Sequence, residues 1–162
     1  MEPTIRAVER RDLKRAVEMW AALMENGETH DPRWKLADGA RDSMRRWAEE
    51  LWLVYEPFPH AWVADVDGGL VGWLDGHPSN PSPVLDLPLG ATIGNLWVEP
   101  AWRRRGVGRR LVETFIAHAT AAGCTDIEVG TLTRDTGAVA FWRDLGFGDW
   151  LLVLRRGIPL PE

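Results

Sequence analysis

The sequence has little of several features that would assign it to common classes of protein. Cys124 is its only cysteine, so an intrachain disulfide is excluded. No apolar run approaches the roughly 18 residues of a membrane span. Residues 1–8 carry charges in place of the apolar stretch of a signal peptide. The four histidines and one cysteine show no metal-ligand spacing. We therefore expect a cytoplasmic protein without a metal and without a membrane partner.

Basic charge is also in the minority, with 19 Lys and Arg against 24 Asp and Glu and a net charge of −5. Domains that bind nucleic acid are usually basic, so nucleic acid is not an expected partner. Positive charge is nevertheless concentrated in one place. The clustered arginines are Arg103, Arg104, Arg105, Arg109 and Arg110. Such a cluster in an acidic chain indicates either a local anion site or a solvated helix start.

Tryptophan, by contrast, is unusually frequent, at ten residues against one Tyr and four Phe. Large amphipathic rings fill cores, and they also line pockets and contact surfaces. We expect most of the ten to lie in the core and some to line a site.

Hydrophobic periodicity predicts one domain over residues 1–162 in which strands and helices alternate in the second half. The predicted helices run from Leu13 to a stop at Asn26-Gly27, from Ala40 to about Tyr55, from Val107 to Gly123 and from Gly137 to Leu145. The predicted strands are 4–8, 61–66, 70–76, 91–98, 127–131 and 150–154. Residues 77–90 are rich in proline and predict an exposed loop. The pattern predicts an α/β fold with a central mixed, twisted sheet and helices on its faces.

The stretch from Leu96 to Arg109 is the most informative, because it predicts a strand, a basic turn with two glycines and then a long helix. The first N–H groups of a helix lack partners, and the helix dipole adds positive potential there. Gly106 and Gly108 have no Cβ, so a phosphate oxygen could approach the backbone closely. The stretch therefore predicts a pyrophosphate site. It is neither a Walker A loop, which needs Gly-Lys-Ser/Thr, nor the three-glycine dinucleotide fingerprint.

This stretch resembles the signature of the GNAT superfamily of N-acetyltransferases, Arg/Gln-x-x-Gly-x-Gly/Ala after a strand, here Arg103, Gly106 and Gly108. The family often shows Asn-x-x-Ala-x-x-x-Tyr-x-x-x-Gly-Phe downstream. The residues at those spacings are Asp135, Ala138, Trp142, Gly146 and Phe147. The resemblance is strongest over 91–147 and implies a GNAT-like sheet of six to seven strands. It also implies acceptor-side helices within 1–60, antiparallel strands within 61–98 and a coenzyme A-binding half over 99–162.

The resemblance implies acetyl-CoA as co-substrate, with its pantetheine arm bonded to the backbone of a strand that splays from its parallel neighbour. The amides of 104–109 would bind the pyrophosphate, and a backbone N–H near Trp97 or Val98 would stabilise the oxyanion. The implied cofactor residues are Leu96, Trp97, Val98, Arg103, Arg104, Arg105, Gly106, Val107, Gly108, Arg109, Asp135, Ala138 and Trp142. A neutral primary amine of a small molecule or peptide would attack the acyl carbon directly.

Two positions depart from the family pattern. Trp142 replaces a Tyr that serves many members as acid, and an indole N–H donates hydrogen bonds but does not release a proton at neutral pH. Trp142 would then pack against pantetheine or hydrogen-bond the leaving thiolate. The strand before the signature carries Thr92, Gly94 and Asn95 where members often have a carboxylate. The remaining candidates for a base are Asp75, Asp86, Glu99 and His77, with water as the default.

The acceptor site is expected among the first two helices, the loop between them and the loop 77–90. Trp34, Trp47 and Trp52, together with Tyr55, would suit an apolar or cationic amine if they face inward; otherwise they pack in the core. The departures leave open a non-catalytic acyl-CoA-binding module, and more weakly a nucleotide-binding protein. Monomer and homodimer are equally compatible with the sequence.

Overall fold

The fold is described by a computed structural model, which covers residues 2–79 and 84–157. Within these residues five strands form one mixed sheet whose spatial order follows the chain. The strands are β1 (Thr4–Ala7), β2 (Ala61–Val66), β3 (Gly69–Pro78), β4 (Gly90–Val98) and β5 (Asp126–Val129). Neighbouring strands are antiparallel except β4 and β5, which are parallel.

The helices are α1 (Leu13–His30), α2 (Ala40–Leu51), α3 (Val107–Ala121) and α4 (Thr136–Asp144). They lie on both faces of the sheet. Successive residues of a strand point to opposite faces, so neighbouring residues of β3 contact different helices. Trp73 of β3 lies in a core with residues of α1 and α2, including Leu13 and Met44. Leu74, its neighbour, lies in the other core with residues of α3 and α4, including Phe115 and Trp142. The predicted mixed sheet with helices on both faces is confirmed.

Both acceptor-side helices end at positions other than those predicted. α1 continues through the Asn26-Gly27 pair to His30. Gly27 serves packing here, because a Cβ on it would lie 2.4 Å from Cδ1 of Trp34. α2 ends at Leu51 instead of near Tyr55. The chain leaves the helix after Leu51, and the side chain of Trp52 is buried in the core.

The predicted strand 150–154 is wrong, and the sheet has five strands in the described residues instead of six to seven. Residues 150–154 lie outside any strand, with every side chain exposed. The chain turns at Gly146 with φ 91°, and Arg143 binds Asp149 at 3.1 Å, so the backbone is held beside α4 up to that point. Residues 80–83 of the predicted loop lie outside the described residues. In the ranges 2–79 and 84–157 no helix has the length and apolarity needed to cross a bilayer.

Candidate active site

The two parallel strands separate halfway along β4. Their pairing runs from Gly90 opposite Asp126 to Ile93 opposite Val129, where β5 ends. β4 continues to Val98, so among the described residues 94–98 have no strand neighbour on that side. The predicted splay therefore begins at Gly94 and leaves one edge of β4 open.

The direction of each amide on this edge follows from the pairing of β4 with β3. The N–H of Glu99 donates to the carbonyl of Val71 on the β3 side, and amides alternate in direction along a strand. The N–H of Trp97 therefore also points to β3. The N–H and carbonyl of Val98 point to the open edge, where the carbonyl accepts a hydrogen bond from Nε of Arg103 at 3.0 Å. Of the two predicted oxyanion donors, Val98 is the one whose amide faces the splay.

A tight turn connects β4 to α3. Gly106, with φ 81° and nothing within 4 Å of an added Cβ, is the N-cap of α3. Arg104 also has positive φ, at 60°. Arg103 lies over the ring of Trp97 at 4.5 Å, and Arg105 lies over the ring of Trp102 at 5.3 Å. All three arginines of the turn are exposed. The turn thus presents the first amides of α3 together with exposed cationic side chains, which is a suitable site for a phosphate group.

Gly108 has a packing reason for lacking a side chain. A Cβ on Gly108 would lie 3.3 Å from Cζ of Phe141 on α4 and 3.6 Å from Cγ2 of Val98. The glycine lets α3 lie close to both elements. Close ligand approach is therefore argued more directly from Gly106 than from Gly108.

A buried carboxylate lies where the splay begins. Asp75 of β3 accepts hydrogen bonds from Nε1 of Trp52 at 2.7 Å and from Nδ2 of Asn95 at 3.0 Å. Gly94, which is exposed, is so close that an added Cβ would lie 2.6 Å from Oδ1 of Asp75. Gly94 is also the first residue of β4 without a β5 partner. The carboxylate is therefore one residue away from the open edge.

Burial raises the pKa of Asp75 from 3.8 to about 6, against the opposing effect of the hydrogen bonds from Asn95 and Trp52. Removal from water disfavours the charged form, whereas the two donors favour it. Asp75 is thus ionised near neutral pH with a higher basicity than an exposed carboxylate. A buried group with a perturbed pKa in a cleft is a typical feature of a catalytic site.

The other three candidate bases lie in ordinary surroundings. Asp86 is exposed in the loop before β4. Glu99 forms an ion pair with Arg15 at 2.6 Å. His77 is exposed, with Nδ1 2.9 Å from the carbonyl oxygen of its neighbour Pro78. Only Asp75 among the four combines burial with contact to the splay. No cluster of three metal-binding side chains occurs within the described ranges.

The downstream motif forms the start and the inner face of α4. Asp135 accepts a hydrogen bond from the N–H of Ala138 at 2.9 Å, so it is the N-cap of the helix. Its carboxylate also lies 3.4 Å from Nε2 of His30 at the end of α1. Trp142 is buried, with ring centroids 5.0 Å from Phe141 and 5.3 Å from Phe147.

The aromatic residues expected at the acceptor site do not share one surface. Trp52 is buried, with its ring 4.7 Å from that of Trp73. Trp34 packs over Met24 and Gly27, and Trp47 is 61% exposed on α2. The hydroxyl of Tyr55 donates to the carbonyl of Val8. Trp52 instead donates a hydrogen bond to the buried carboxylate of Asp75.

Sequence reasoning missed Asn95 as a partner of Asp75. Asn95 stands directly opposite Asp75 in the β3–β4 pairing. Its position in the sequence indicated only that the strand lacked a carboxylate. The pairing of the two strands, which brings the residues together, has no local signal in the sequence.

Comparison with known proteins identifies the family of the chain. A family model described as the acetyltransferase (GNAT) family matches residues 17–147. A protein named as an uncharacterised N-acetyltransferase of Methanocaldococcus jannaschii is 27% identical over 120 residues, which are 69% of this chain and 53% of that protein. The chain spans about half the length of that relative.

Solved structures share the fold over nearly the whole chain. A transcriptional regulator from Bacillus halodurans is 25% identical with a TM-score of 0.76, over 96% of this chain and 99% of the other. The aminoglycoside N-acetyltransferase AAC(6')-Iy in complex with CoA is 20% identical with a TM-score of 0.70, over 98% of this chain and 95% of the other. The family model covers most of the chain and includes both predicted motifs, so the chain belongs to the GNAT family of acetyltransferases.

Proposed function

We propose that the chain transfers an acetyl group from acetyl-CoA to a primary amine of a small molecule or peptide. The observation that carries this proposal is the open edge of β4 at 94–98, beside a buried carboxylate. An extended pantetheine arm has amide groups that can pair with such an edge as an added strand would. The AAC(6')-Iy neighbour, which binds CoA, has the same fold.

The residues of the turn fit the remainder of that substrate. The first amides of α3, following Gly106, would hold the pyrophosphate, since helix N-termini bind anions through unpaired N–H groups. Arg104, Arg105 and Arg109 are exposed and would attract it over a longer range. Arg103 is held against Trp97 and the carbonyl of Val98, so it would position the strand instead.

The chemistry at the splay would follow from two groups of this chain. The amide of Val98 would donate a hydrogen bond to the thioester oxygen as negative charge develops on it. Asp75 would accept the proton of the incoming amine, directly or through one water. Trp142 lies in an aromatic cluster and would contribute packing, since an indole supplies no proton at neutral pH. The thiolate would leave without a protein acid.

Binding and turnover can be tested separately. Calorimetric titration should show binding of acetyl-CoA and of coenzyme A, but not of ATP at equal ionic strength. In amide NMR spectra, acetyl-CoA should shift the signals of Leu96, Val98 and the 104–109 turn, and leave that of Ile5 on β1 in place. Release of free thiol with a panel of aminoglycosides, polyamines and short peptides would then identify an acceptor.

The outcomes separate the two functions left open by the sequence. Binding with thiol release for at least one amine supports the transferase. Binding without release for any amine favours a non-catalytic acyl-CoA-binding module. Amide shifts confined to residues outside 94–109 would contradict the site itself.

A further inference from the structure

The end of α1 meets the start of α4 in a contact that the proposed function does not use. Nε2 of His30, the last residue of α1, lies 3.4 Å from Oδ2 of Asp135, the N-cap of α4. The two side chains are largely buried, with 29% and 25% exposed. The residues are far apart in the sequence, so the fold itself brings the acceptor-side helix to the cofactor half.

α1 follows the open half of β4 along its length. Arg15 in the first turn of α1 binds Glu99, the residue after β4, at 2.6 Å. Trp20 packs in the same core as Trp97 of β4. His30 lies about 22 Å beyond Arg15 along the helix, and about seven residues of a strand span the same length. α1 therefore ends near the level at which β4 and β5 separate.

Residues 130–135, which we name the splay wall, connect β5 to α4. They follow Val129, the last residue that pairs with β4, and so they lead away on the side that faces 94–98. Among the described residues, the wall has one side-chain ion pair or hydrogen bond with an element other than α4. That contact is the one between Asp135 and His30. The ladder of β4 and β5 ends before the wall begins, so the end of α1 is what holds it.

A second pair of opposite charges joins the same two segments. Asp31 follows α1, and Arg134 belongs to the wall. Hydrogen bonds from Arg33 lower the pKa of Asp31, and the positive charge of Arg134 lowers it further. The helix dipoles act in the same sense, because the C-terminus of α1 is partly negative and the N-terminus of α4 partly positive. The wall and the end of α1 are thus complementary in charge.

We propose that His30 is a positioning residue, which through Asp135 holds the splay wall at a fixed distance from the open edge of β4. This inference rests on the proposed function, because the distance matters only if acetyl-CoA enters the splay. A wall that is held in place before the substrate arrives reduces the ordering entropy lost on binding. The acceptor-side helix thereby contributes to acetyl-CoA affinity.

Calorimetric titration with acetyl-CoA tests the proposal on the wild type, His30→Ala, Asp135→Asn and the double variant. Asn caps a helix as well as Asp does, so Asp135→Asn removes the carboxylate and keeps the cap of α4. Each single change should weaken acetyl-CoA binding by roughly fivefold or more. The double variant should lie within about twofold of the single variants, because the second change removes a group that has already lost its partner.

Two further variants and a second measurement separate positioning from general stability. His30→Gln keeps an N–H donor for the carboxylate and should bind acetyl-CoA within about twofold of the wild type. His118→Ala, the matched control, removes an exposed histidine of α3 and should have no effect. In amide hydrogen exchange of the free protein, His30→Ala should exchange faster at 130–135 and at the wild-type rate at 61–66 of β2. A loss of global stability would speed exchange at both.

Three results would overturn the proposal. Both single variants could bind acetyl-CoA as tightly as the wild type. Their losses could multiply in the double variant, which would show that the two residues act independently. Exchange could rise equally at 130–135 and 61–66, which would leave a purely structural role. If the wild type itself did not bind acetyl-CoA, the proposed function would be contradicted, and the inference with it.

Discussion

Replacing Asp75 by Asn keeps the size and shape of the side chain and removes its negative charge. The carboxylate accepts hydrogen bonds from Trp52 and Asn95. The amide introduced at position 75 can accept one of them and must turn its NH2 toward the other donor. The side-chain amide of Asn95 can rotate so that its oxygen accepts a hydrogen bond from this NH2. We therefore expect the variant to fold.

The difference in unfolding free energy between wild type and Asp75→Asn should decrease as the pH rises. The folded-state pKa of Asp75 is raised from 3.8 to about 6, so the native state binds the proton more tightly than the unfolded chain. The contribution of Asp75 to stability is therefore fully present below about pH 4 and is lost as the pH rises through 6. The shift corresponds to about 3 kcal/mol. The unfolding free energy of wild type minus that of Asp75→Asn should fall by up to this amount between pH 4 and 7.

Activity should respond in the opposite sense, because a base must be ionised to accept a proton. With any amine that the thiol-release panel identifies, kcat/KM of the wild type should show an acid limb near pH 6. Asp75→Asn should lose roughly 10²- to 10⁴-fold, the usual contribution of general base catalysis. Asp86→Asn and Glu99→Gln are matched controls, and both should stay within twofold.

A second variant tests the same base without removing it. Trp52→Phe deletes the N–H that stabilises the charged form of Asp75, so the acid limb should move upward by about one pH unit. A purely structural role of Asp75 would leave the limb in place. Retention of kcat/KM within twofold in Asp75→Asn, with the acid limb still near 6, would refute the assignment.

The remaining predictions concern the cofactor site and Gly94, where β4 separates from β5. Arg104→Ala should weaken acetyl-CoA binding by on the order of 1 kcal/mol, and by less at high salt, whereas the exposed control Arg46→Ala on α2 should have no effect in calorimetry. Trp142→Phe should leave kcat within a few-fold if the ring only packs. A loss of tenfold or more in steady-state kinetics would mean that its N–H binds the thiolate. Gly94→Ala should lower kcat/KM at least tenfold with little change in coenzyme A affinity, because the new Cβ would lie 2.6 Å from Oδ1 of Asp75. Equal activity of this variant would show that the carboxylate does not meet substrate at Gly94.

The cofactor side of the fold could be predicted because its signals are local. The Arg103 to Gly108 pattern predicts a turn and a helix start, and α3 begins at Val107 as its periodicity indicates. The turn between β2 and β3 depends on equally local chemistry, with Asp67 and Gly68 at positive φ. Such features depend on backbone conformations that a few neighbouring residues determine.

The acceptor side depends on contacts between distant residues. Asp75, Asp86 and Glu99 are equivalent in the sequence, and only the pairing of β3 with β4 separates them. That pairing buries Asp75 opposite Asn95, while Glu99 meets Arg15 at the surface. Residues 150–154 show the same limit. Their composition favours a strand, but in the described residues they lie outside the sheet with exposed side chains.

The arrangement of β3 and β4 is compatible with the proposed direct transfer. Asp75 lies two residues after Trp73, on the face of the sheet covered by α1 and α2. The turn that would hold the pyrophosphate opens α3, on the opposite face. In the proposed reaction, an amine beside Asp75 and a thioester along β4 would meet where the strands part, at Gly94. Bringing two substrates together from opposite faces supplies proximity without a covalent enzyme intermediate. A Cβ at position 94 would lie 2.6 Å from Oδ1 of Asp75 and would fill that proposed meeting point, so glycine fits there for a steric reason as well.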